Sequence, residues 1–120
     1  MAETQIAKLY DLEERTFKSA QAVIAFIKKL PKSLANVEIS RQLVRSSGSV
    51  GANYIEANET LGKKDFLFHV KISRKEAKES RYWLRLIDID DGNMEKERQV
   101  LARESQELMN IFGAILRKSE

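Results

Sequence analysis

The sequence predicts an all-α protein, an antiparallel up-down-up-down four-helix bundle. Three observations predict it. Apolar residues recur at three- and four-residue spacing in four segments, short polar breaks separate those segments, and no β-branched alternation flanked by hairpin turns occurs anywhere. The predicted helices cover about residues 12–29, 36–60, 63–88 and 94–118. At 120 residues, 42% hydrophobic and 32% charged, the chain fits one domain over 1–120 that buries its own core without metal or disulfide support.

The first helix is expected to start at a capping box, Asp11 with Glu14, and to stop before Pro31. Phe17, Ala20, Ile24 and Ile27 set its apolar face, widened by Val23 and Phe26, and Lys28 and Lys29 suit the negative end of its dipole. Ile6, Leu9 and Tyr10 fit either an extension of this helix or a docked N-terminal arm.

After LPKSLAN, Asn36 is the expected N-cap of the second helix, whose seam reads Ile39, Leu43, Val50, Tyr54, Ala57, Leu61. Its middle is crowded with small residues: Ser46, Ser47, Gly48, Ser49, Gly51 and Ala52. An interior glycine costs about 1 kcal/mol relative to alanine, so a close neighbour, from the same chain or another subunit, is expected there. A phosphate cradle is the sharper alternative, but SSGSVGAN follows no strand and matches no phosphate-loop pattern.

Gly62 is expected to end the second helix as its C′ residue, with the third beginning at Lys63. Projected at 100° per residue, Lys63, Lys64, Lys71, Arg74, Lys75, Lys78, Arg81 and Arg85 fall within an arc of about 120°. Phe66, Val70, Ala77, Leu84 and Ile87 lie opposite, with Ile72 and Trp83 at the border. At 1.5 Å per residue the basic stripe is about 33 Å long, enough to follow several phosphates. A solvated or subunit-facing helix surface is the competing reading, although such surfaces usually mix signs.

Glu76 falls among apolar neighbours with His69 and needs a partner, for which Arg45 and Asn53 are candidates. Arg45, Ser49, Asn53, Glu56, Glu76 and Glu79 are read as a structural polar network between helices or subunits. A carboxylate metal site of Glu56, Glu59, Glu76 and Glu79 is disfavoured, because the single histidine has no glutamate three residues before it. Beyond DIDDGN, Asn93 is the expected cap of the fourth helix, whose apolar face is Leu101, Leu108, Ile111, Phe112, Ile115 and Leu116.

Charge divides unevenly along the chain. Residues 1–62 hold 8 basic and 7 acidic side chains, 63–87 hold 8 and 3, and 88–120 hold 5 and 8. The absence of cysteine excludes thiolate chemistry and suits a reducing compartment. MAETQIAKLYDLEERTF lacks the pattern of a signal peptide and no run is apolar enough for a membrane span, so a soluble cytoplasmic protein is expected. One histidine and no nucleophile–base spacing leave no catalytic residues, cofactor or metal to nominate.

LVRSSGSVGANYIEA followed by DFLFHVKISRKEAKESRYWLRLI resembles the 23S ribosomal RNA intervening-sequence proteins. Arg45-Ser46, Ser49-Val50, Ala52-Asn53, Glu56-Ala57, Phe66, Glu76, Glu79 and Trp83-Leu84 carry the resemblance in order, joined by Asp11-Leu12 and Lys29-Leu30-Pro31, over about residues 11–116. It implies a bacterial four-helix bundle that assembles into a ring-like homo-oligomer, a homopentamer, without catalytic residues. A similar bundle is the accessory protein of diversity-generating retroelements, where a basic pentamer binds nucleic acid and the reverse transcriptase. The expected function is therefore a non-enzymatic homo-oligomeric protein that binds the backbone of RNA or DNA through its basic helix face. The alternative is a protein-interaction scaffold without nucleic-acid affinity.

Overall fold

The computed structural model describes the backbone of residues 2–119 and the side chains of residues 11–119. It consists of α1 (Ala2–Ile27), α2 (Leu34–Glu59), α3 (Lys63–Leu86) and α4 (Gly92–Lys118), with no strand among the described residues. Short connections reverse the chain three times. α2 packs most extensively on α3, and α3 on α4, whereas α1 and α4 touch least; α1 and α3 stand at opposite corners.

The helix ends differ from expectation in ways that local hydrogen bonding explains. α1 already runs through Asp11, so Asp11 and Glu14 form no capping box; no proline or glycine in residues 2–11 interrupts it. The side chains of Ile6, Leu9 and Tyr10 lie outside the described residues. Lys28 and Lys29 fall just beyond the end of α1. Ser33, not Asn36, caps α2, its Oγ accepting from the Asn36 N–H at 3.1 Å. Asn36 is buried in the first turn of α2, where its amide donates to the carbonyls of Pro31 and Asp88 and accepts from the Asp88 N–H, joining two loops. Thr60 closes α2 through its hydroxyl to the Ala57 carbonyl, leaving Gly62 as the extended N-cap of α3 at φ −126°. Asp91 rather than Asn93 caps α4, accepting from the N–H groups of Asn93 and Met94.

The core has two apolar halves. Leu12, Val50, Tyr54, Ala57, Val70, Ala77, Leu108 and Phe112 fill one, and Val23, Phe26, Leu30, Leu43, Leu84, Ile87 and Leu101 fill the other. Among the remaining buried residues are the hydroxyl side chains Thr16, Ser46, Ser47, Ser73, Ser80 and Ser105. Their size lets helices approach, and several of them bond across the α2–α3 contact: Ser80 Oγ donates to Ser46 Oγ at 2.9 Å, and Ser73 Oγ to the Val50 carbonyl at 2.9 Å. The small-residue patch of α2 is thus partly used inside the bundle. A Cβ on Gly51 would lie 2.8 Å from Thr16 Oγ1, whereas one on Gly48 would meet nothing within 4 Å.

Three expected core residues, Phe17, Ile24 and Leu61, are not in the core. Phe17 and Ile24 are exposed on α1, because Thr16 and Val23 turn inward instead. Thr16 can do so because its hydroxyl is satisfied by the Leu12 carbonyl of its own helix at 2.7 Å. Leu61 is fully exposed in the α2–α3 turn, and Ile39 is only half-buried.

Candidate nucleic-acid interface

α3 is one unbroken helix with Asp65 in its first turn and Arg85 in its last, both favourable to the helix dipole. Its buried side carries Val70, Ser73, Glu76, Ala77, Ser80 and Leu84. Burying that side turns the basic stripe outward. Lys63, Lys64, Lys71, Arg74, Lys75, Lys78 and Arg85 are exposed and Arg81 is half-buried. Among the described residues, none of these eight side chains forms a hydrogen bond or an ion pair.

Carboxylates are drawn away from the stripe. Arg45 of α2 reaches Glu76 Oε2 at 3.3 Å and pairs closely with Glu79, which also accepts from Trp83 Nε1 at 3.0 Å. Burial pulls the Arg45 guanidinium down, but the Glu79 hydrogen bond and both carboxylate charges outweigh it, so the net direction is upward. On α4, Glu104 and Glu107 pair with Arg15 of α1, and Glu97 with Lys29 at 2.6 Å. The hydrogen bonding of Arg15 to Glu104 is the main cause holding its guanidinium above its ordinary value. Three of the eight acids of the last segment are therefore engaged on the α1 side of the bundle.

The edge of α4 beside α3 has a different composition. Arg98, Gln99, Arg103 and Gln106 join Arg81 and Arg85 around a groove of about 470 Å³. Glu95, the one carboxylate there, is bound by Arg98 through two bonds at 2.7 and 2.5 Å. That bonding holds Glu95 below the usual carboxylate range and Arg98 above its own value. The basic surface thus continues from α3 across a seam. Arg98 and Arg103 were not nominated from sequence, because they become part of this surface only once α4 is known to lie beside the stripe. Arg103, Gln99 and Gln106 do share one edge of the α4 helical projection, which is the signal that was available.

The remaining nominated residues form small contacts. Asn53 donates to Ser49 at its carbonyl (2.9 Å) and its hydroxyl (3.1 Å), and its Oδ1 lies 3.5 Å from His69 Nδ1. Glu56 is exposed and has no polar partner among the described residues. No group of three or more His, Cys, Asp or Glu side chains among the described residues is arranged to hold a metal ion. Tyr54 is fully buried with an unpaired hydroxyl, and burial above all pushes its phenol up to about 12. It is unsuited to proton transfer at neutral pH.

A 106-residue stretch, 9–114, matches the family model described as 23S rRNA-intervening sequence protein. The chain belongs to that family. A crystal structure of a protein of unknown function from the S23 ribosomal protein family of Bacteroides thetaiotaomicron VPI-5482 is similar, at 25% identity and a TM-score of 0.76. The similarity covers 88% of this chain and 97% of that one. No curated protein matches. The family stretch contains the α3 stripe, the Arg45–Glu76–Glu79 cluster and the α4 groove residues, and neither match indicates an enzyme. Among the described residues, no helix is long and apolar enough to cross a membrane.

Proposed function

We propose that this family member is a non-enzymatic, self-associating cytoplasmic protein that binds the sugar–phosphate backbone of RNA or DNA through α3 and the adjoining edge of α4. The observation that carries the reading is the set of eight unpaired cations on one face of α3, while Glu76 and Glu79 of α3 and Glu97, Glu104 and Glu107 of α4 are engaged elsewhere. Unpaired lysines and arginines keep counterions that phosphates displace, and the released ions drive binding. A solvated face in a mixed-charge protein has less reason to exclude acids over about 33 Å.

Fluorescence anisotropy with labelled RNA and DNA, titrated with salt, tests this reading. Affinity is expected to fall steeply with salt, log K dropping by about 0.9 per log unit for each duplex phosphate contacted. The triple variant Arg74→Glu, Lys78→Glu, Arg81→Glu should lose binding, while Lys18→Glu, Lys28→Glu, Lys32→Glu should keep it. Equal binding by wild type and the stripe variant would overturn the proposal. If no nucleic acid binds at physiological salt and an acidic protein co-purifies through the same lysines, the chain is a protein-interaction scaffold instead.

Self-association has separate support. Phe17 and Ile24 of α1 and Val37, Val44 and Ile55 of α2 are exposed apolar side chains flanking one helix seam, with the open surface of Gly48 beside them. A second copy of the chain is the proposed cover.

A further inference from the structure

The basic stripe has an aromatic border that backbone binding alone does not use. Phe68 and Tyr82 are 59% and 55% exposed, and Leu86 is 46% exposed. In projection these three lie at one margin of the arc that holds the cations, on the margin towards α2. Phe68 and Tyr82 are 14 positions apart on one helix, about 21 Å, and Lys71, Arg74, Lys75 and Lys78 lie between them. Each ring is braced edge-on by its neighbour: Phe68 by His69 with centroids 5.3 Å apart at 80°, Tyr82 by Trp83 at 5.0 Å and 74°. Trp83 is fixed in turn by its bond to Glu79, which Arg45 holds. These are water-facing rings beside unpaired cations.

A partner that covers them must be both anionic and rich in flat apolar faces. Nucleic acid meets that requirement only where its bases are unpaired. In a duplex the base faces are stacked inside and the phosphates outside, so the cations would be satisfied while both rings stayed wet. In a single strand, each base can stack on an aromatic side chain while its phosphate meets a lysine.

Resting on the backbone-binding reading above, we infer that the α3 face takes single-stranded nucleic acid in preference to duplex, with Phe68 and Tyr82 stacking on unpaired bases and Lys71, Lys75 and Lys78 holding the phosphates between them. The stacking is indifferent to base identity, because every base has a π face. Strand state, rather than sequence, is what this surface reads.

The test compares one labelled RNA strand of ~20 nucleotides, longer than the stripe at 1.5 Å per residue, with the same strand annealed to its complement. Anisotropy titrations use the full-length protein at one salt concentration and then across salt. The single strand is expected to bind about tenfold or more tightly than the duplex. Phe68→Leu with Tyr82→Leu, which keeps apolar bulk and helix propensity but removes both rings, should weaken the single strand by about fivefold or more per ring and leave the duplex unchanged. Its salt slope should equal that of wild type, because stacking releases no counterions. Tyr82→Phe, which keeps both rings, should retain single-strand affinity. Far-UV circular dichroism confirms that the variants remain folded, and Phe68→Met with Tyr82→Met serves if the leucine pair does not.

Three results would overturn the inference. Duplex binding as tight as single-strand binding, with no effect of removing the rings, would leave the backbone reading standing and remove this one. An equal loss on both substrates would make the rings structural. Failure of both substrates to bind, or capture of an acidic protein on this face instead, would remove both readings together.

Discussion

At the scale of single residues, the two mid-helix glycines of α2 have opposite surroundings and so opposite expected behaviour. Gly51 faces α1, where Thr16 Oγ1 would stand 2.8 Å and Thr16 Cβ 3.2 Å from an added methyl group. Thr16 is buried and its hydroxyl is engaged by the carbonyls of Leu12 and Glu13, so it cannot swing aside without breaking those bonds. Gly51→Ala is expected to destabilise the bundle by about 1–3 kcal/mol through overpacking. Gly48 is surrounded by open space, and its helical backbone suits alanine. In a separated subunit Gly48→Ala should stabilise by about 0.5–1 kcal/mol, the ordinary helix-propensity gain. Urea denaturation of the two variants decides the point, and a Gly51→Ala protein as stable as wild type would contradict the α1–α2 packing described here. Gly48 also reports on assembly: if a second copy packs against it, the larger Gly48→Leu change should lower the assembled mass while the helical content persists.

At the scale of elements, the end of α3 depends on one arginine from α4. Arg98 Nη1 reaches the carbonyls of Leu84 and Arg85, each at 3.4 Å, and bonds closely to that of Ile87, while its other nitrogens hold Glu95. These carbonyls are the ones a helix C-terminus leaves unpaired, and a cation there also opposes the dipole. Arg98→Met is expected to cost about 1–3 kcal/mol from the lost charge-assisted bonds to the carbonyls, read as a lowered melting temperature. The pH dependence follows from Glu95, whose pKa is lowered below 4.5 in the folded protein by the Arg98 hydrogen bond. A lowered folded pKa stabilises above the unfolded value and the benefit disappears as pH falls through the folded value. Wild type should therefore lose stability on acidification below about pH 4.5 more steeply than Glu95→Gln, whereas near pH 7 the stabilities of the two do not change differently with pH. Equal acid profiles would mean that the Glu95–Arg98 pair is not formed in solution.

How much of this was legible in the sequence varies by element for physical reasons. The α3 stripe was readable because one uninterrupted helix puts residues 3, 4 and 7 apart on one face, whatever surrounds it. The Arg45–Glu76 contact was readable for a different reason, since a carboxylate at an apolar position requires a partner. The inward side of α1 was not readable, because Phe17, Ala20, Val23, Ile24, Phe26 and Ile27 spread across half the helix and only the packing of α2 and α4 selects among them. Asp11 and Glu14 have capping-box spacing inside a continuous helix, where local chemistry alone does not distinguish a start from an interior turn. Arg98 and Arg103 become part of the basic surface only through tertiary placement, and the exposure of Phe68 and Tyr82 likewise depended on knowing which neighbours cover α3.

At the scale of the whole molecule, the arrangement separates two kinds of surface. α1 and α3 occupy opposite corners, so the apolar residues beside the α1–α2 seam and the cations of α3 are presented in different directions. α1 also borders a second open surface, a groove of about 1360 Å³ against α4 with Leu12, Phe66, Val100, Ile111 and Ile115 in its lining and the Arg15–Glu104 pair across it. A ridge on one side of α1 and a groove on the other are different patches, and contact between different patches of identical copies is head-to-tail, which closes into a ring when the rotation permits. Copies joined in this way would all keep their α3 faces free. Several basic faces on one particle would bind a long nucleic acid with an effective concentration that a single subunit lacks. Light scattering is expected to give the wild type a mass that is a multiple of 13.8 kDa. Val44→Glu with Ile55→Glu places carboxylates on the apolar ridge without touching the α3 cations, and should yield subunits of 13.8 kDa with unchanged helical content. Those subunits should bind a strand shorter than the ~33 Å stripe as wild type does, yet bind long RNA about a hundredfold more weakly, because only the second kind of ligand spans several subunits. A wild type that is monomeric at high concentration would remove the ring. A double variant that separates but binds long RNA undiminished would show that one α3 face carries the affinity alone.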